Sequence, residues 1–219
     1  MNENNTLYPL FSTPILSIKN AYKISPKEYK FILNQKKTKI LSDATEYRRE
    51  AKDKGIWTYN FRSDNAYILD TPGLKKLKKV FQKHVEDYFY GVLHVKKNQL
   101  FYITQSWINY NPPGASHHFH HHPNSILSGV FYFHEKNTPL TFEKVGLFPG
   151  FEFICDKYDV VNSISYWMEA SQHKLVLFPS SLRHGVARNE SDKMRMSLSF
   201  NTFAKGTIGE YTELTELAK

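Results

Sequence analysis

The stretch Lys193-Met-Arg-Met-Ser-Leu-Ser-Phe-Asn-Thr202 alternates without interruption, with Met194, Met196, Leu198 and Phe200 in one set and Arg195, Ser197, Ser199 and Asn201 in the other. A period of two fits an extended strand and does not fit a helix. One face must then pack into a core, while the other presents a guanidinium, hydroxyls and an amide in a row. An ordinary half-exposed strand tolerates that row. A cavity wall that grips a carboxylate makes specific use of it, with Arg195 bidentate and Ser197 adding a hydroxyl donor.

Four further segments read as strands: Leu100 to Tyr110, Ile126 to Phe133, Leu140 to Glu143 and Lys174 to Phe178. Each is rich in β-branched or aromatic residues and bounded by Pro, Gly or Asn. Short strands in succession without helices between them point to a sandwich or barrel. Helices are expected before them, so the fold class is mainly β with flanking helices. The clearest helix starts at Thr71-Pro72, an N-cap followed by proline at the first helical position. Its apolar residues Leu74, Leu77, Phe81, Val85, Tyr88 and Val92 form one stripe that would brace the outside of a sheet. The 219 residues fit one domain, with 1–99 as a helical and edge segment and 100–203 as the β core. Lys144 to Gln172, with Gly146, Pro149 and Gly150, reads as a long excursion able to cover a site mouth.

Composition narrows the setting. Aromatic residues at 15% and charged residues at 23% belong to a chain with a sizeable interior. The net charge of +8 would suit an acidic partner. Much of the excess is scattered lysine, such as Lys75, Lys76, Lys78 and Lys79, which a solvated helix face accounts for, so nucleic-acid binding is not expected. A single cysteine, Cys155, excludes an intramolecular disulfide framework. The opening Met1-Asn-Glu-Asn-Asn lacks the pattern of a secretory signal, and no run approaches the ~18 apolar residues that span a bilayer. The expected location is the cytoplasm, with no membrane partner.

Five of the ten histidines lie in Ser116-His-His-Phe-His-His-His-Pro123, between two strands and far from either terminus. In an extended chain His120 and His122 point to the same side and His121 away, so the first two can share one ion. Imidazole suits Fe, Zn, Cu and Ni. A polar loop that happens to be rich in histidine is the bland alternative. His184 follows the strand that ends in Phe178-Pro179 and would open the next one, beside a neighbouring strand bearing Arg195. Metal ligand and carboxylate anchor would then sit together.

With these residues in hand, the sequence resembles the 2-oxoglutarate/Fe(II)-dependent oxygenase superfamily, and within it a set of small members from marine bacteria and phages. The resemblance rests on Trp107-Ile-Asn-Tyr-Asn111, His120-His-His-Pro-Asn-Ser125, Leu127-Ser-Gly-Val-Phe-Tyr132, Leu177-Phe-Pro-Ser180, His184 and Arg195-Met-Ser-Leu-Ser-Phe-Asn201. Leu10-Phe-Ser-Thr-Pro14 and Ser63-Asp-Asn-Ala-Tyr-Ile-Leu69 are similar too. It spans almost the whole chain except 144–172 and about the last fifteen residues.

The resemblance implies a double-stranded β-helix, or jelly-roll, core and a site that takes Fe(II), 2-oxoglutarate and O2. It implies His120, His122 and His184 as the metal ligands. Arg195, Ser197 and Tyr132 would hold the cosubstrate, with Tyr110 and Asn201 as further candidates. Prolyl 4-hydroxylases are similar in arrangement, with a Tyr and a Gly upstream of a His-x-Asp motif, as Tyr110 and Gly114 stand before His120-x-His122. The departure is His122, where the superfamily's usual ligand is a carboxylate. That exchange raises the charge of an Fe(II) site by one unit and alters its redox potential.

The reaction implied is hydroxylation of a C–H bond. The substrate stays open among a protein side chain, a small metabolite and a nucleobase; a homodimer is allowed; and the location is the host cytoplasm if a phage encodes the chain. Two other readings stand beside this one. One is a non-catalytic metal-binding β-barrel with a structural or assembly role. The other is a cupin-like three-histidine dioxygenase that uses no 2-oxoglutarate.

Overall fold

The computed structural model describes residues 6, 10–40, 60–134, 137–146, 148–151 and 153–217. The opening Met1-Asn-Glu-Asn-Asn lies outside them.

Chain order runs β1 (Leu16–Ile18), α1 (Pro26–Leu33), β2 (Lys37–Ile40), β3 (Asn60–Ser63), α2 (Lys75–Glu86), β4 (Leu100–Asn111) and β5 (His117–His120). It continues through β6 (Leu127–Tyr132), β7 (Asn137–Glu143), β8 (Ser165–Ala170), β9 (Leu175–Pro179), β10 (Arg183–Val186) and β11 (Arg195–Lys205). Helix α1 starts on a capping box: Ser25 and Glu28 satisfy each other's exposed backbone N–H groups, and Pro26 occupies the first turn.

The strands form two antiparallel sheets. A seven-stranded sheet has the order β1-β9-β6-β11-β4-β3-β2, and a four-stranded sheet the order β5-β10-β7-β8. This is the jelly-roll core with helices on one side. β11, the alternating strand, lies between β4 and β6. Its apolar set Met196, Leu198 and Phe200 joins the core under α2, where Phe81 stacks on Phe200 at 5.4 Å and tilts against Phe131 at 5.2 Å. The polar set faces the second sheet across an inter-sheet cluster of Val130, Tyr132, Leu140, Phe142, Val176 and Phe178.

The stripe read from the sequence does brace the large sheet, with Leu74, Leu77, Phe81, Val85 and Tyr88 all buried. Its ends differ from the expectation. Pro72–Leu74 forms a 3-10 turn, and Thr71 turns its hydroxyl back to the Ile68 carbonyl, so it does not cap the helix by side chain. After Glu86 the backbone widens into a π-helical turn, Asp87–Val92, and Val92 is exposed. The excursion also contains structure: β8 pairs with β7 and forms the outer edge of the small sheet. Tyr166 and Trp167 on it are exposed.

Candidate metal centre

The short strand β5 carries the histidine run, and its pairing with β10 is irregular. His120 stands opposite His184 and His117 opposite Val186, so three steps on β5 face two on β10. That extra residue is a β-bulge, and a bulge re-aims the side chains on either side of it. His117 and His120, which a straight strand would place on opposite faces, both reach the inter-sheet cavity. The backbone closes over Gly185, where a Cβ would crowd the His117 carbonyl and the Phe119 ring at 3.1 Å.

His122 lies just beyond β5 and is held by its backbone, which donates from N to the Ser180 carbonyl at 2.9 Å. Ser180 is itself fixed, with its hydroxyl 2.7 Å from that of Ser125 and 2.8 Å from that of Ser128.

The candidate ligand nitrogens of His120, His122 and His184 lie within 4.8 Å of one another. The His120 and His184 rings are 4.4 Å apart between centroids, and His122 is 5.0 Å from each. Nδ1 of His120 donates to the His118 carbonyl at 2.8 Å, and Nδ1 of His184 to the Leu182 carbonyl at 2.9 Å. With Nδ1 carrying the proton, Nε2 of each ring is left as a bare donor for a metal. Burial, reinforced by the neighbouring imidazoles, pushes His122 down to about 4 and His184 down to about 3. Burial likewise lowers His120. Near neutral pH all three rings are uncharged, the state that binds metal.

Arg195 lies across the cavity on the other sheet, so His184 and Arg195 face each other between sheets and are not on neighbouring strands as expected. The guanidinium is buried at 5% exposure and donates from one terminal nitrogen to Asn111 Oδ1 at 3.0 Å. Burial lowers its pKa, opposed by the nearby Tyr132. No carboxylate among the described residues forms an ion pair with it. Tyr132, fully buried on β6, lies 5.8 Å from the guanidinium, centre to ring. Its hydroxyl is pushed up to about 12 by burial, against the pull of Arg195. Among the described residues three buried side-chain polar atoms have no hydrogen-bond partner: Arg195 Nε, the Tyr132 hydroxyl and His117 Nδ1.

The cavity, which opens to solvent, is lined by His117, His120, His122, His184, Arg195 and Ser197 among others. Trp107 and Asn109 complete its β4 wall; the Trp107 ring is 5.8 Å from that of His122 and its indole N–H donates to Asn109 Oδ1. Among the described residues the lining contains no carboxylate.

Two candidates from the sequence fall elsewhere. Tyr110 is on the opposite face of β4 from Trp107, Asn109 and Asn111; it is buried in the helix-side core and donates its hydroxyl to the Ile32 carbonyl at 2.7 Å. It cannot touch a ligand in this cavity. Asn201 continues the polar row of β11 past the cavity lining, where Oδ1 accepts from the Ser128 hydroxyl at 2.9 Å.

Residues 105–201 match the model of a family described as "Putative 2OG-Fe(II) oxygenase". The matched segment, just under half of the chain, is similar to that family. It holds the three histidines, Arg195 and most of both sheets. The chain is also similar to an oxidoreductase of the 2OG-Fe(II) oxygenase family from Burkholderia pseudomallei, at 11% identity and a TM-score of 0.53, covering 80% of this chain and 76% of that one. The non-heme alpha ketoglutarate dependent epimerase SnoN from nogalamycin biosynthesis matches at 10% identity and a TM-score of 0.59, over 87% of this chain and 78% of its own. At these identities the likeness is one of fold. No curated protein matches the sequence. No helix of the described residues is long and apolar enough to cross a membrane.

Fe(II) and 2-oxoglutarate are the cofactor and cosubstrate of a 2OG-Fe(II) oxygenase, and the residues present fit both. Three neutral imidazoles converge, and the Nδ1 anchors of His120 and His184 leave the Nε2 lone pairs of those two rings for a metal. A buried guanidinium without a counter-ion lies across the cavity, beside a buried hydroxyl that lacks a partner, as a carboxylate site requires.

Proposed function

We propose that the chain is a 2-oxoglutarate- and Fe(II)-dependent oxygenase that hydroxylates a C–H bond of its substrate. His120, His122 and His184 would hold the iron. Arg195, with the Tyr132 and Ser197 hydroxyls, would hold the far carboxylate of 2-oxoglutarate. With iron bound, oxidative decarboxylation of 2-oxoglutarate to succinate and CO2 would supply two of the four electrons that reduce O2, and the substrate C–H bond the other two.

The observation that carries this reading is Arg195: a guanidinium buried without a carboxylate partner among the described residues, lining the same cavity as three histidines. Isolated charge in a low-dielectric interior is costly, and an anionic ligand offsets that cost. The chain's own groups orient the cosubstrate and exclude water: Arg195 is fixed by Asn111, and Trp107 walls the cavity beside His122. A dianionic cosubstrate also offsets the extra positive charge that His122 brings in place of a carboxylate.

Arg195→Ala tests the reading. Calorimetric titration of metal-loaded protein should show 2-oxoglutarate affinity falling by at least about a hundredfold, as for a lost buried charge pair, with metal affinity nearly unchanged. Equal loss of both would count against the assignment. The non-catalytic reading draws on the same third histidine, because an all-imidazole site also suits Zn or Ni. Stoichiometric metal binding without consumption of 2-oxoglutarate would favour it.

A further inference from the structure

Of the three unpartnered buried atoms, Arg195 Nε and the Tyr132 hydroxyl belong to the carboxylate site already described, which leaves His117 Nδ1. The His117 ring lines the cavity with its centroid 4.7 Å from that of His120. The β5 bulge and the close approach at Gly185 hold it there, so its direction is set by backbone as well as by side-chain packing.

A chain of buried amides relates His117 to Arg195. The Arg195 guanidinium donates to Asn111 Oδ1, the Asn111 amide donates to Asn60 Oδ1, and the Asn60 amide donates to the Ser116 carbonyl. Ser116 is the residue before His117. The relay crosses from β11 through β4 and β3 to the start of β5, and both asparagines are buried, Asn60 at 4% and Asn111 at 2% exposure. The relay thereby ties Arg195 to the backbone that carries His117, and both side chains line the same cavity.

We propose that His117 is a further cosubstrate-binding residue, donating Nδ1–H to a carboxylate oxygen of 2-oxoglutarate opposite Arg195. The inference rests on the reading under Proposed function and extends it. It assigns a role to a histidine outside the three-ligand set, and it explains why β5 spends a bulge on turning that ring inward.

The test is calorimetric titration of 2-oxoglutarate into the Zn(II)-loaded full chain, comparing wild type with His117→Leu, His117→Asn and Arg195→Ala, with bound zinc measured in each. Asparagine places an N–H close to where histidine places Nδ1, and leucine fills similar space with no donor. His117→Leu should weaken binding by about tenfold or more, the size expected for a hydrogen bond to a charged group, and His117→Asn should recover most of that loss. Zinc stoichiometry should not change in either His117 variant.

Leucine binding within about twofold of wild type would overturn the role, since a buried charged hydrogen bond is worth more than that. Asparagine binding as weakly as leucine would also overturn it, by showing that ring packing and not the donor matters. In both cases wild-type binding that Arg195→Ala removes would leave the oxygenase reading standing. Failure of the zinc-loaded wild type to bind 2-oxoglutarate at all would overturn the two together.

Discussion

His122 Nε2 lies 3.2 Å from His184 Nε2, while Nδ1 of His184 is turned away to the Leu182 carbonyl. Two imidazoles on one ion at about 2.1 Å, in adjacent coordination positions, place their nitrogens about 3.0–3.4 Å apart. The separation therefore matches a shared metal with little rearrangement. Removing either ring should lower metal affinity by more than the ~10–100-fold typical of a lost supporting contact. His118→Ala should leave it near wild type, because that exposed ring is outside the ligand group and the backbone carbonyl that accepts from His120 is retained. Metal titration of the three variants, read by mass spectrometry or calorimetry, checks this; equal losses in all three would contradict the ligand set.

Protonation gives an independent handle on the same rings. His122 and His184 are held at about 4 and about 3 in the folded chain, below the ~6.5 of an unfolded one. Between those values the unfolded chain binds more protons than the folded one, so stability rises with pH across the window. Metal-stripped protein should therefore lose Tm steadily from about pH 7 to about pH 5, above the range where most carboxylates titrate. A flat Tm over that interval would mean that the imidazoles are not buried as neutral rings.

Tyr110→Phe separates the two faces of β4. The hydroxyl caps the Ile32 carbonyl inside the helix-side core, so its loss should cost about 1 kcal/mol of stability. Affinity for 2-oxoglutarate should stay at the wild-type value. Urea unfolding and calorimetry on the same variant check both halves, and a weakened cosubstrate affinity with unchanged stability would reverse the placement of Tyr110.

Gly129 has no room for a side chain. It pairs with Phe200 across β6 and β11, and a Cβ there would overlap the Phe200 ring. That ring is stacked on Phe81 of α2 and cannot give way freely. Gly129→Ala should cost about 1–3 kcal/mol by overpacking, measured by urea unfolding. A neutral result would mean that the sheet–helix core is looser than its contacts indicate.

Much of this was legible in the residues. The two-residue period of β11 separates Met196, Leu198 and Phe200 from Arg195, Ser197 and Ser199, and the molecule divides them between core and cavity as that period requires. The same rule applied to β4 groups Asn111 with Trp107 and Asn109 and sets Tyr110 apart; the resemblance, not the parity, had suggested Tyr110. His117 was harder to see, since parity along a straight β5 excludes it from the face of His120 and only the bulge admits it. The glycine opposite, Gly185, was the available signal. Strands β1, β2, β3, β5 and β8 escaped notice because they lie at or next to a sheet edge, and most are only three or four residues long, which leaves little local pattern.

The most direct test of the central claim is Fe(II)-dependent conversion of 2-oxoglutarate to succinate without added substrate, in protein purified away from nickel, wild type against His122→Ala. The account predicts slow uncoupled turnover in the wild type that is lost in the variant. Iron-loaded wild type that neither binds nor consumes 2-oxoglutarate would contradict it.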